Sequence, residues 1–215
     1  MGGCGSKKQP KKPALKVETS YSNMLNEAQS QSSLFGQKAI KLCLTGQIKV
    51  GKSQFFSTFF SKNHIENTPI NGDYSSTNIQ IDGGKRVSVT IWDTAGQEEH
   101  LSITKLFYNS TQGIILLYDI LNPDSFEALE KIWIPNIEDE LDISQIVILV
   151  LANKIDLSNS QNKEHEAMIE RGRKLAADKG FLFQTSNAKN KQSVLANVRL
   201  LLNTIVDKNT LSQKP

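Results

Sequence analysis

The chain has 215 residues, 38% of them hydrophobic and 22% charged, with a formal net charge of +3. That length supports one well-cored domain rather than two, and nothing in so small a charge marks a general nucleic-acid binder. No apolar run approaches the roughly 18 residues of a spanning helix and there is no secretory segment; Cys4 and Cys43 lie in settings too different for a disulfide framework.

Residues 1 to 37 read as a flexible basic tail. The opening MGGCGSKKQPKKPALK carries five lysines and no acid, and a Ser/Asn/Gln-rich stretch follows, with too little apolar surface to offset ordering entropy. Met1-Gly2-Gly3-Cys4-Gly5-Ser6 fits the N-myristoylation pattern, with Gly2 as acceptor. One such chain anchors only marginally, so Cys4 is the candidate second acyl site, and Lys7, Lys8, Lys11, Lys12 and Lys16 suit an anionic leaflet.

From Lys38 onward, apolar runs alternate with mixed segments. AIKLCLT (39–45), GIILLYDI (113–120) and QIVILVLA (145–152) are near-continuous, as strands covered on both faces must be. NIQID (78–82) and RVSVTIW (86–92) flank Gly83-Gly84 and read as a hairpin. Helical patterns run over Lys52–Ser61, Asp124–Leu141, Lys163–Lys179 and Lys191–Val206. The fold class that follows is α/β: a six-stranded, mostly parallel sheet with one antiparallel strand and helices on both faces. The domain is expected over 38–208, with a short tail at 209–215.

Three motifs carry the chemistry. GQIKVGKSQ, from Gly46 to Gln54, follows one buried strand and opens a helix, so successive N–H groups can wrap phosphates. Gly46, Lys49, Val50, Gly51, Lys52, Ser53 and Gln54 are its nucleotide-binding candidates; Lys52 neutralises charge and Ser53 ligates Mg²⁺. In WDTAGQE, Asp93 at a strand end can hold Mg²⁺ through water, Gly96 lets an N–H approach the terminal phosphate, and Gln97 can orient attacking water. In NKID, the carboxylate of Asp156 can accept both donors on one guanine edge, with Asn153 and Lys154 beside it. Adenine lacks that donor pair, which selects GTP over ATP.

Together these motifs resemble the Ras superfamily of small GTPases over Lys38 to about Lys208, and the Rab branch in particular. GIILLYDILNPDSFEAL and SITKLFY resemble Rab segments, and Tyr74, Trp92 and Phe107 fall where Rabs keep an effector-reading aromatic triad, core packing being the other reading of those rings. The resemblance implies the P-loop NTPase fold, GTP/GDP with Mg²⁺, hydrolysis of GTP to GDP, and a role in vesicle or endosomal membrane traffic. It implies an exchange factor, a GTPase-activating protein and effectors as partners, a monomer, and no nucleic acid. The expected location is the cytoplasmic face of endosomal, other endomembrane or plasma membranes, lipid-anchored.

The departures from the family shape further expectations. The switch threonine that reaches Mg²⁺ is replaced by the segment NTPINGDY, where Thr68 is the nearest candidate and Thr77 the alternative. The guanine-backing motif reads TSNAK, so Ser186, Asn187 and Ala188 are base-site candidates, and either Asn187 or Ala188 offers its N–H. Glu99 stands where Rabs usually carry arginine. The chain closes on LSQKP with no cysteine to prenylate, which resembles the N-terminally acylated plant- and protist-type Rabs. Ile48 occupies space the family leaves open for the catalytic glutamine and a partner's arginine, so slow hydrolysis is expected. The rivals are a GTP-locked or nucleotide-free scaffold on the same fold and, opposed by Asp156, a P-loop ATPase or nucleotide kinase.

Overall fold

The computed structural model describes residues 39–61, 74–94, 107–158 and 163–212. Strand β1 (Ile40–Thr45) is covered on both faces: Leu42 and Leu44 enter one apolar cluster and Cys43 the other. β4 (Gly113–Asp119) and β5 (Val147–Asn153) are buried at every position, which is why their sequences are unbroken aliphatic runs rather than alternating ones. β2 (Tyr74–Gln80), β3 (Arg86–Asp93) and β6 (Leu182–Ser186) complete a six-stranded sheet of order β2-β3-β1-β4-β5-β6. Only the β2–β3 pair is antiparallel.

Parallel pairing delivers the C-terminal ends of five strands to one edge. Leu44 lies opposite Asp93, and Asp119, Asn153 and Ser186 stand in one row across β4, β5 and β6. Open α/β sheets bind their ligands at this edge.

Helices cover both faces. Phe55, Phe56 and Phe59 of α1 (Lys52–Phe59) and Phe60 just beyond it pack with Val194, Val198 and Leu201 of α5 (Lys191–Ser212). The other cluster holds Phe126 of α2 (Pro123–Ala128), Ile137 of α3 (Ile134–Glu140), and Met168 and Ala176 of α4 (Lys163–Lys179). Among the described residues no helix is long and apolar enough to cross a membrane.

Local differences from the sequence expectation have physical causes. β2 begins at Tyr74 rather than Asn78, because the polar YSST is held by pairing with β3, Tyr74 opposite Trp92 and Thr77 opposite Val89. The expected single helix over 124–141 is interrupted by a π-helical turn, Leu129–Trp133. Pro135 supplies no N–H for a carbonyl four residues back and its ring crowds that carbonyl, so the turn before it widens. α5 runs to Ser212, past both Val206 and the expected domain limit at Lys208. The hairpin is closed by Gly83 and Gly84, at φ 71° and 76°, as expected.

Candidate nucleotide site

The loop between β1 and α1 is framed by two glycines. Gly46 has φ 135°, and a Cβ there would stand 2.2 Å from the Leu117 carbonyl oxygen. Gly51 has φ 107°, and its Cβ would stand 2.5 Å from Asn153 Nδ2. Neither position admits another residue without a shift of backbone or clamp. Between them, Lys49 adopts a left-handed conformation, φ 67°, and Ile48 is 53% exposed. α1 then starts with no side-chain cap and no acid in its first turn, leaving its N–H groups open to an anion.

Lys52 is only 3% exposed, and its ammonium bends back to donate to the Gly46 and Gln47 carbonyls at 2.9 and 3.0 Å. Ser53 and Gln54 are exposed beside it, with Gln54 Nε2 donating to Thr58 Oγ1 at 3.0 Å. Asp93 ends β3 and is 7% exposed. Its neighbour Thr94 donates from Oγ1 to the Leu44 carbonyl at 2.7 Å, fixing the chain as it leaves the sheet.

Asn153 joins the two halves of the site. Its Nδ2 donates to the Val50 carbonyl at 2.8 Å, and its Oδ1 accepts from the Ala188 N–H at 3.1 Å. Lys154, also left-handed at φ 68°, donates to Asp119 Oδ2 at 2.7 Å. Asp156 lies 3.6 Å from the ammonium of Lys189. Asn187 directs its N–H to Ser193 Oγ and accepts the Lys189 N–H on Oδ1, closing its own turn. Of the two alternatives at the base site, Ala188 therefore faces Asn153 while Asn187 turns toward α5. Ser186 is fully buried, and among the described residues its hydroxyl has no hydrogen-bond partner.

The sequence candidates in the loop, at Asp93, over Asn153–Asp156 and over Ser186–Ala188 thus meet at one edge. Gly2, Cys4, Thr68, Gly96, Gln97 and Glu99 lie outside the described residues. The alternative Thr77 is misplaced for a metal: it sits mid-strand opposite Val89, roughly 13 Å of strand from Asp93. Tyr74, Trp92 and Phe107 do assemble, with centroids 4.5 Å apart in the stacked pair and 5.6 Å in the edge-on pair, but each is at most 2% exposed. In this structure they pack as core.

Sequence reading missed three features. Asn153, read from the sequence only as a neighbour of Asp156 at the base, also ties Val50 to Ala188 through both ends of its amide. Asp119, which orients Lys154, is the acid that ends β4 within GIILLYDI, and an acid near the end of a buried run was the signal available. The left-handed backbone at Lys49 had no signal beyond its place between loop glycines.

The donors present suit a nucleotide with its metal: an uncapped helix start, a glycine-framed turn that a Cβ would close, a buried lysine, and an acid and a hydroxyl at adjacent strand and helix ends. These features define a P-loop nucleotide-binding domain. Residues 41–207 match the Ras family. The chain is 38% identical over 158 residues to the Ras-related protein Rab-8B of Bos taurus and of Homo sapiens, covering 72% of each chain. It is also 38% identical over 153 residues to the Ras-related protein Rab-8A of Bos taurus, covering 69% of this chain and 70% of that one. The chain belongs to the Ras family, on its Rab-like side: GTP-binding switches that take GTP or GDP with Mg²⁺ and hydrolyse GTP.

Proposed function

We propose that the chain is a slow, membrane-tethered GTP switch in vesicle or endosomal traffic. The observation that carries this reading is the Asn153 clamp, which ties the phosphate loop to the base loop through Val50 and Ala188. A nucleotide that touches both loops is then held by one pre-formed frame rather than by two independent ones.

In this reading the N–H groups of residues 49–54, with Lys52, hold phosphates, while Ser53, Asp93 and Thr68 hold Mg²⁺. Bound Mg²⁺ would neutralise phosphate charge. Asp156 accepts the guanine donor pair, Lys154 lies alongside it under the control of Asp119, and the Ala188 N–H, held by Asn153 Oδ1, fixes the base loop in place. Gln97 orients the attacking water, and Gly96 gives the terminal phosphate a backbone N–H. The terminal phosphate orders the switch segments and its loss releases them, which is how an exchange factor, an activating protein and effectors read the state. The acylated Gly2, with Cys4 and the tail lysines, holds the switch at the cytoplasmic face.

The exposed Ile48 at the loop crest supports slow turnover, because an arginine finger that needs that space supplies about 10³–10⁵ in rate. Single-turnover hydrolysis of preloaded GTP tests this: about 10⁻³ s⁻¹ or below for wild type, and faster for Ile48→Gly. Equal rates would remove the crowding account, and no phosphate release in either would favour the GTP-locked scaffold. For the tether, Gly2→Ala expressed with an N-myristoyltransferase should leave the membrane fraction; continued pelleting with membranes would contradict it.

A further inference from the structure

The lysines at the nucleotide edge are not equivalent. Lys52 is engaged by two loop carbonyls, Lys154 by Asp119 and Lys189 by Asp156. Lys49 is exposed, and among the described residues nothing engages its ammonium. It stands at the crest of the loop in a left-handed conformation that glycine would adopt without cost and lysine does not. A left-handed residue within such a loop turns successive N–H groups toward one side, which forms an anion cradle. Lys49 therefore offers an exposed cation on a flexible stem from the loop that forms that cradle, at the expense of backbone strain. Strain of this kind gathers at functional positions.

We propose that the Lys49 side chain is a second phosphate-directed cation that sets the residence time of the bound guanine nucleotide. The inference rests on the nucleotide-binding reading above and adds a role for the side chain, distinct from that of the Lys49 N–H. Bound phosphates carry several negative charges and Lys49 is solvent-exposed, so one ammonium directed at them slows escape measurably and salt weakens its hold. Lys52, enclosed by the loop, supports the ground frame. Lys49, at the rim, acts on departure.

Release of N-methylanthraniloyl-GDP from the full chain, chased with excess GDP at low and high salt, tests the proposal. Lys49→Gln keeps a side chain at the strained position but removes the charge, and releases about tenfold faster at low salt, with the gap closing as salt rises. Lys49→Arg restores slow release. Lys49→Gly removes charge and strain together and releases at least as fast as Lys49→Gln. If Lys49→Gln releases like wild type and only Lys49→Gly differs, the position matters through its backbone and the proposal is overturned. If neutralising Lys174 on α4 accelerates release equally, net charge is responsible and the proposal again falls. A wild-type protein that retains no GDP would sink the nucleotide reading itself, an outcome distinguishable from both.

Discussion

The phosphate half of the site is framed mainly by backbone and the base half mainly by side chains. In the first, Gly46 and Gly51 turn the chain where any Cβ would meet Leu117 or Asn153, while Ile48 and Lys49 at the crest have room to vary. In the second, the amides, carboxylates and ammonium groups of Asn153, Asp119, Lys154 and Asp156 define the place, with Lys154 itself left-handed. The difference explains why this chain departs from its family at the crest without losing the frame. In the proposed reading crest residues set rates, while frame glycines and base-side polar groups set whether a nucleotide binds and which one.

The largest expected effect tests the backbone half. Gly46→Ala combines a left-handed strain with a backbone clash and should cost about 3 kcal/mol, lowering the melting temperature by about 6–12 °C. Gly83→Ala has a similarly positive φ but open space around it, and should cost about 1 kcal/mol. Calorimetry that finds the two variants alike would break the comparison.

Asn153→Ala comes next, because it strikes both halves. It leaves the Val50 carbonyl and the Ala188 N–H without their partner, costing about 2 kcal/mol, and should weaken GDP and GTP together. Loss of stability with unchanged nucleotide affinity would show that the halves are independent.

A perturbation in the shared body should spare both halves alike. The Tyr118 hydroxyl, deep in the sheet, donates to the Met168 carbonyl at 2.8 Å, and burial pushes its ionisation well above the ordinary phenol range. A folded-state value raised above the unfolded one gives stability that is present below about pH 10 and lost as the pH rises further. Tyr118→Phe should therefore be less stable at pH 7 by about 1 kcal/mol, with the gap narrowing in alkali and guanine preference unchanged. Denaturant midpoints across that range would check it; a gap that widens in alkali contradicts the burial argument.

How far the sequence reveals this molecule follows the same division. Buried strands are legible because coverage on both faces demands aliphatic runs, and the P-loop is legible because its glycines are demanded by close backbone approach. The start of β2 is not, since Tyr74 to Thr77 owe their conformation to β3 rather than to their own apolar pattern. The π turn before Pro135 needed the ring and the missing N–H to be weighed inside a pattern that otherwise reads as one helix. In the site, residue types are legible and partnerships are not. Nothing in Asn153 alone says that its amide ties Val50 to Ala188 across more than a hundred residues, and the positive φ of Lys49 is a property of the closed loop.

The most direct test of the central claim, that this frame selects guanine through a side chain, is a competition between GTP and xanthosine triphosphate on wild type and Asp156→Asn. Among the described residues Asp156 is paired only with the exposed Lys189, so the substitution should leave stability within about 1 kcal/mol. Xanthine presents an acceptor where guanine presents its exocyclic donor, so the asparagine variant should lose GTP and gain xanthosine triphosphate, reversing the wild-type preference. An Asp156→Asn protein that still prefers GTP with wild-type affinity would contradict the account.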